Sequence, residues 1–177
     1  NNGCVSSDSI VITVDTIPVV LITPFGSEFC ENASAVTMNA SPMGGSWMLN
    51  GNAHNNSFNP SALVAGSSNR VKYSYVDGNG CSNSDSVDIT IDPLPVVTFV
   101  LDSNKVCSNG NEINLSGALP LGGLYSGTAV NNSKFNPNGL TAGAYTLLYT
   151  YTDVKGCVNS AEDMMNVVSP SLISIAP

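Results

Sequence analysis

The residues best able to do chemistry in this chain are five cysteines, one histidine and a few aspartates that recur at fixed spacing. Cys4, Cys81 and Cys157 each follow a glycine and lie 77 and 76 residues apart, and Cys30 and Cys107 are also 77 apart. Gaps of this length do not suit a zinc site, whose ligands come in close pairs, so disulfide formation is the expected chemistry. His54 is the single histidine, set in the polar run Asn-Gly-Asn-Ala-His-Asn-Asn. No acidic or second imidazole partner stands at a spacing suggesting a catalytic triad or a metal site, so it reads as a solvated loop residue. Asp77 and Asp153 recur just before a Gly-Cys pair. Either could lend an oxygen to Ca²⁺, but no second carboxylate is fixed nearby, and an aspartate there more simply caps a turn by bonding its own backbone. No glycine-rich stretch joins a strand to a helix, as a phosphate cradle requires. These residues point to no enzyme, no cofactor and no metal.

The elements that must position these residues are strands. Val87-Asp88-Ile89-Thr90-Ile91-Asp92 alternates apolar with polar, and Tyr145, Leu147, Tyr149 and Tyr151 share one face of another such run. Tyr73 and Tyr75 repeat that pattern 76 residues earlier. Period-two alternation with Gly, Pro, Asn and Ser clusters between the runs predicts half-buried antiparallel strands, and no segment carries a helical stripe. The inward positions are expected to be Tyr73, Tyr75, Tyr149 and Tyr151, in sandwiches of about seven strands. Asp85, Asp88 and Asp92 are read as outward carboxylates that deter edge-to-edge association.

The same words return throughout. Phe58-Asn59-Pro60 answers Phe135-Asn136-Pro137, Gly44-Gly45 before Trp47 answers Gly122-Gly123 before Tyr125, and Pro18 answers Pro95. A period near 77 residues is long enough for each unit to have its own core. The proline-bearing joints place one repeat at 17–93 and the next at 94–169. Residues 1–16 then read as the last strand of a preceding repeat, and 170–177 as the first strand of a following one. Within these boundaries the expected disulfides are Cys30–Cys81 and Cys107–Cys157, with Cys4 unpaired; each would add roughly 4 kcal/mol by loop closure. The rival set, Cys4–Cys30 and Cys81–Cys107, would staple neighbouring repeats and leave Cys157 alone.

Charged residues are only 10% of the chain, while asparagine and serine supply 46 of 177 residues. Five Lys/Arg against thirteen Asp/Glu give a net charge of −8, which disfavours nucleic acid and anionic membranes as partners. No apolar run approaches the roughly 18 residues of a membrane span. Low lysine with regularly spaced cysteines suits an extracellular protein.

The stretch from Pro120 to Cys157, with its Gly-Gly-x-Tyr-Ser-Gly, Phe-Asn-Pro, Tyr-x-Tyr-x-Asp and closing Gly-Cys, resembles the immunoglobulin-like, PKD-like repeats of very large cell-surface proteins of Bacteroidota. Arrays of this kind look like gliding-motility adhesins and other cargo of the type IX secretion system. The resemblance implies tandem immunoglobulin-like antiparallel β-sandwiches, an all-β rod at the cell surface, associated with the outer membrane, adhering to surface polysaccharide or solid substrata. Asp8-Ser9-Ile10, Asp15-Thr16-Ile17 and Asp85-Ser86-Val87 resemble the O-glycosylation signal of that phylum, which makes Ser9, Thr16 and Ser86 expected glycan sites. The alternative is a spacer or carbohydrate-binding module of a secreted multidomain enzyme. It would need aromatics such as Trp47 and Tyr125 on an exposed sheet, whereas aromatics in the core favour the rod.

Overall fold

The structure is a computed structural model that describes residues 2–170. The chain is all-β: the helical element among the described residues is a three-residue 3-10 turn, Pro60–Ala62. Contacts divide it into two compact units, residues 1–29 with 33–91, and residues 30–32 with 92–177. The short segment Cys30–Asn32 thus packs with the second unit. The stretch expected to open a further repeat, from 171 onward, lies outside the described residues.

The first unit is built from β1 (Leu21–Ile22), β2 (Glu28–Cys30), β3 (Val36–Thr37), β4 (Ala40–Ser41), β5 (Ser46–Leu49), β6 (Asn52–His54), β7 (Ser57–Phe58), β8 (Ser68–Val76) and β9 (Ser82–Asp92). Its main sheet has the order β2-β9-β8-β5-β6, with β1-β4 and β3-β7 as separate pairs. The β8–β9 hairpin sets Val71 opposite Val87 and Tyr73 opposite Asp85. Because side chains alternate between faces, this register sends Val71, Tyr73, Ile89 and Ile91 inward, where they are at most 2% exposed. Met38 and Phe58 complete the core from beyond that sheet. Each such side chain, fully buried, contributes about 1.5–3 kcal/mol. Between β5 and β6, Asn50 and Gly51 both take positive φ (50° and 82°), the two-residue turn that Asn-Gly favours.

The second unit contains β10 (Thr98–Phe99), β11 (Lys105–Cys107), β12 (Ile113–Asn114), β13 (Ala118–Leu119), β14 (Leu124–Gly127), β15 (Val130–Asn131), β16 (Lys134–Phe135), β17 (Gly143–Thr152) and β18 (Val158–Val168). The order β11-β18-β17-β14 is the order β2-β9-β8-β5 again, one repeat later. β11 runs parallel to β18, and the other pairs of that sheet are antiparallel. Leu147, Tyr149, Met165 and Val167 point into a core shared with Phe99, Leu115 and Phe135. The repeated Phe-Asn-Pro triplet is a core feature: Phe58 and Phe135 are fully buried, as are Pro60 and Pro137.

Tyr73 and Tyr149 are buried as expected, while Tyr75 and Tyr151, nearer the strand ends, are half-buried. The expectation that Asp85, Asp88 and Asp92 all face outward is corrected: Asp85 falls on the inward parity of Ile89 and Ile91, and Asp92, although it shares the parity of Asp88, is covered at the strand end where it pairs with Lys155. Asp88 alone stands in solvent, where it holds Arg70 through two bonds of 2.8 and 2.7 Å. Asp85 is half-buried and accepts the Ile22 N–H at 2.8 Å, and Asp92 is 4% exposed. His54 is likewise a strand residue rather than a loop one: it lies opposite Trp47, half-buried, with Nε2 2.9 Å from the Ser57 carbonyl.

Candidate functional site

Two features recur in both units and carry the residues singled out by the sequence: an aromatic lock and a cysteine at either end of the last strand. In the lock, the Tyr73 hydroxyl accepts the Gly45 N–H at 2.6 Å and donates to the Pro42 carbonyl at 2.7 Å. Tyr149 does the same with Gly123 (2.6 Å) and Pro120 (2.5 Å). The tyrosine reaches that backbone only because nothing projects from it. A Cβ on Gly45 would sit 2.3 Å from the Ser74 carbonyl oxygen, and one on Gly123 would sit 2.5 Å from that of Thr150. Both prolines follow cis peptide bonds. Trp47 packs 4.6 Å from the Tyr73 ring and Tyr125 4.8 Å from the Tyr149 ring, so both lean on their own cores and neither forms an open stacking platform. Burial, together with the Tyr149 and Asp102 charges and against a hydrogen bond with the Ala118 backbone, pushes the Tyr125 hydroxyl above its usual pKa.

The cysteines are joined differently from the expected scheme. Cys30 is bonded to Cys157, with 127 residues between them in sequence and Cα atoms 5.5 Å apart, while Cys4, Cys81 and Cys107 are free. The expected pairs Cys30–Cys81 and Cys107–Cys157 fail on geometry. Cys107 pairs with Val168, at the C-terminal end of β18, whereas Cys157 sits just before its N-terminal residue Val158. The two are therefore separated by the length of an 11-residue strand, about 35 Å at about 3.3 Å per residue. In the first repeat the Glu31 N–H donates to the Asp92 carbonyl at 2.9 Å, which puts Cys30 at one end of β9 and Cys81 at the other. No disulfide spans such a distance.

Within the second unit the bonded pair has company that sequence reasoning missed. Asp92, buried, makes an ion pair with Lys155, and the Leu94 N–H donates to Glu31 Oε1 at 3.0 Å. Nothing at repeat spacing announced these groups: the residues one repeat away are Val168, Asn79 and Ser108. A second missed device did have a signal. Asn83 and Asn159, each two residues after a Gly-Cys, donate through Nδ2 to the carbonyls of Pro18 and Pro95 at 2.9 Å. Each linker is thereby latched to the last strand of its own unit.

Asp77 and Asp153 act as turn caps. Asp77 Oδ1 accepts the N–H groups of Asn79 (3.0 Å) and Cys81 (2.9 Å), and Asp153 Oδ1 those of Lys155 (2.9 Å) and Cys157 (2.8 Å). Ser9, Thr16 and Ser86 are exposed, and Asp8 and Asp85 accept the N–H of Ser9 and Ser86 at 2.9 and 2.8 Å. Two shallow clefts of about 270 and 260 Å³ lie in the first unit. One is lined by Ile22, Phe25, Asp85 and Val87, the other by Met38, Met43, Trp47 and Tyr73. No helix among the described residues is long and apolar enough to cross a membrane.

No protein-family model matches the chain, and no curated protein matches it. Among solved structures it is similar to the mixed-linkage glucan utilization locus protein SGBP-B of Bacteroides ovatus, in complex with a mixed-linkage heptasaccharide. The identity is 16% and the TM-score 0.30, over 80% of this chain and 42% of that one, so the chain spans about two-fifths of that protein's length.

Proposed function

We propose that the chain is a repeat segment of a large bacterial surface adhesin, an extended rod that carries adhesion at the cell surface, in gliding motility. The observation that carries this reading is the recurrence of one unit: the same four-strand order, the same tyrosine lock and the same capped turn before a cysteine. A chain that repeats its scaffold and spends its aromatics on two cores is suited to spacing and bearing load rather than to catalysis. Pro93 and Pro95 fix two φ angles in the linker, which favours restraint over free tethering. The partners in this reading are neighbouring repeats of the same chain, with surface polysaccharide or solid substrata at the adhesive end. Export is by the type IX route, with O-linked glycan on Ser9, Thr16 and Ser86, whose exposure leaves the hydroxyls reachable. The carbohydrate-binding alternative asks for displayed aromatic rings, and Trp47 and Tyr125 do not supply them.

The test is on intact cells of the source bacterium. Fab fragments raised against the folded chain should label unpermeabilised cells and lower their attachment to glass. Labelling that requires permeabilisation, or attachment unchanged at saturating Fab, rejects the adhesin reading.

A further inference from the structure

The bonded pair and the free cysteines are the same two positions of the repeat. Cys107 is the counterpart of Cys30, and Cys81 and Cys4 are counterparts of Cys157. Their surroundings agree as well as their spacing. The Ser108 N–H donates to the Val168 carbonyl at 2.9 Å, as that of Glu31 does to Asp92. The turn that presents Cys81 is the turn that presents Cys157: Asp77 N donates to the Cys81 carbonyl and Asp153 N to that of Cys157, both at 3.0 Å. The glycine just before each cysteine, Gly80 or Gly156, donates back to the carbonyl of Asp77 or Asp153 at 3.1 Å. Cys81 is half-exposed and Cys107 exposed, so both thiols are open to a partner.

We propose that each repeat carries two complementary halves of one covalent staple, and that Cys107 and Cys81 pair head-to-tail with the opposite half of another copy of the repeat. A strand-end cysteine (Cys30, Cys107) accepts a turn cysteine (Cys4, Cys81, Cys157), and never its own kind. The intra-repeat alternative is closed to both, since each pair stands at opposite ends of one long strand. A contact between unlike ends is heterologous: it closes into a ring where the rotation between copies allows, and otherwise propagates along a series of copies. The buried Asp92 and its Lys155 partner are particular to the staple already formed, whereas the cysteines are common to every copy.

The chemistry needs an oxidant, and a small-molecule disulfide such as oxidised glutathione serves. The Cys107 thiolate attacks glutathione disulfide, giving a mixed disulfide and one glutathione thiolate. The Cys81 thiolate of the other copy then attacks the Cys107 sulfur and expels the second glutathione thiolate. Two protein thiols are oxidised, one glutathione disulfide is reduced by two electrons, and the two protons end on the two glutathione thiols.

The full chain, at about the millimolar concentration that a short tether would supply, is incubated in a glutathione redox buffer, alkylated and mapped without reduction. The expected result is Cys30–Cys157 retained within each chain and a ladder of oligomers linked by Cys107 to Cys81 or Cys4. Such mixed links should exceed each symmetric link by about tenfold or more. Cys107→Ser should abolish the ladder, and Cys4→Ser should leave Cys81–Cys107 links. Symmetric Cys81–Cys81 and Cys107–Cys107 links in near-random proportion overturn the proposal. So do thiols recovered alkylated on monomers, or a shift to Cys30–Cys81 and Cys107–Cys157. The map of the unmutated chain decides the matter even if a serine variant misfolds.

Discussion

Tyr73 and Tyr149 show how much one hydroxyl can hold. Each ring fills the core, and each oxygen both accepts a glycine N–H and donates to a proline carbonyl on the chain that crosses above it. Removing only the oxygen leaves the volume intact but orphans both backbone groups. Tyr149→Phe should therefore cost about 1–3 kcal/mol in urea unfolding. Gly123→Ala attacks the same lock from the other side, because its Cβ would meet the Thr150 oxygen at 2.5 Å and backbone cannot yield cheaply. It should cost about 2–4 kcal/mol, and a loss under 1 kcal/mol in both variants would mean that the lock is incidental.

At the scale of elements, the last strand of each repeat organises its neighbours. Its C-terminal half buries Ile89 and Ile91, or Met165 and Val167, and its start latches the linker through Asn83 or Asn159. Carboxylates of the strand reach the opening segment as well: Asp85 accepts the Ile22 N–H and Asp163 the Leu101 N–H, both at 2.8 Å. They do so from different registers, opposite Tyr73 and Leu147 respectively. The same strand pattern recurs at residues 5–14, but Ile12 and Val14, counterparts of Ile89 and Ile91, are 78% and 86% exposed and pair with no strand among the described residues. The turn before the strand depends on its aspartate. Asp153→Ala removes the acceptor of two N–H groups and should destabilise by about 1–2 kcal/mol, whereas Asp153→Asn keeps an acceptor oxygen and should cost less than about 0.5 kcal/mol. Equal losses in the two variants, read from urea midpoints, would mean that charge rather than capping is at work.

For the whole molecule, the disulfide decides what tension along the chain can reach. A bond across 127 residues closes a loop worth about 5 kcal/mol of unfolded-chain entropy and carries force past everything inside it. Pulled from its two ends, the oxidised chain should lengthen only by the segments outside the loop. Reduction should then release about 430 Å more, at about 3.4 Å per residue. Full extension without reductant, in single-molecule pulling, would exclude the Cys30–Cys157 bond. A staple repeated along an array would shield every repeat in this way.

The all-β class and the recurring words of the chain were legible because alternation, Gly-Gly, Phe-Asn-Pro and Gly-Cys are local patterns whose physics is local: side-chain parity, a turn that needs bare backbone, an aspartate that caps its own loop. Inward Tyr73 and Tyr149 followed from parity alone. What the sequence could not rank was which cysteine meets which, because loop-closure entropy favours several pairings about equally and spacing carries no direction. Only the strand order, with Cys107 beside Val168 and Cys157 before Val158, sets each expected pair at opposite ends of one strand and brings Cys30 to Cys157 instead. Asp85 and Asp92 were misread for the same reason. A carboxylate's role depends on the backbone N–H or ammonium that the fold brings to it from some 63 residues away, and no local pattern names that partner.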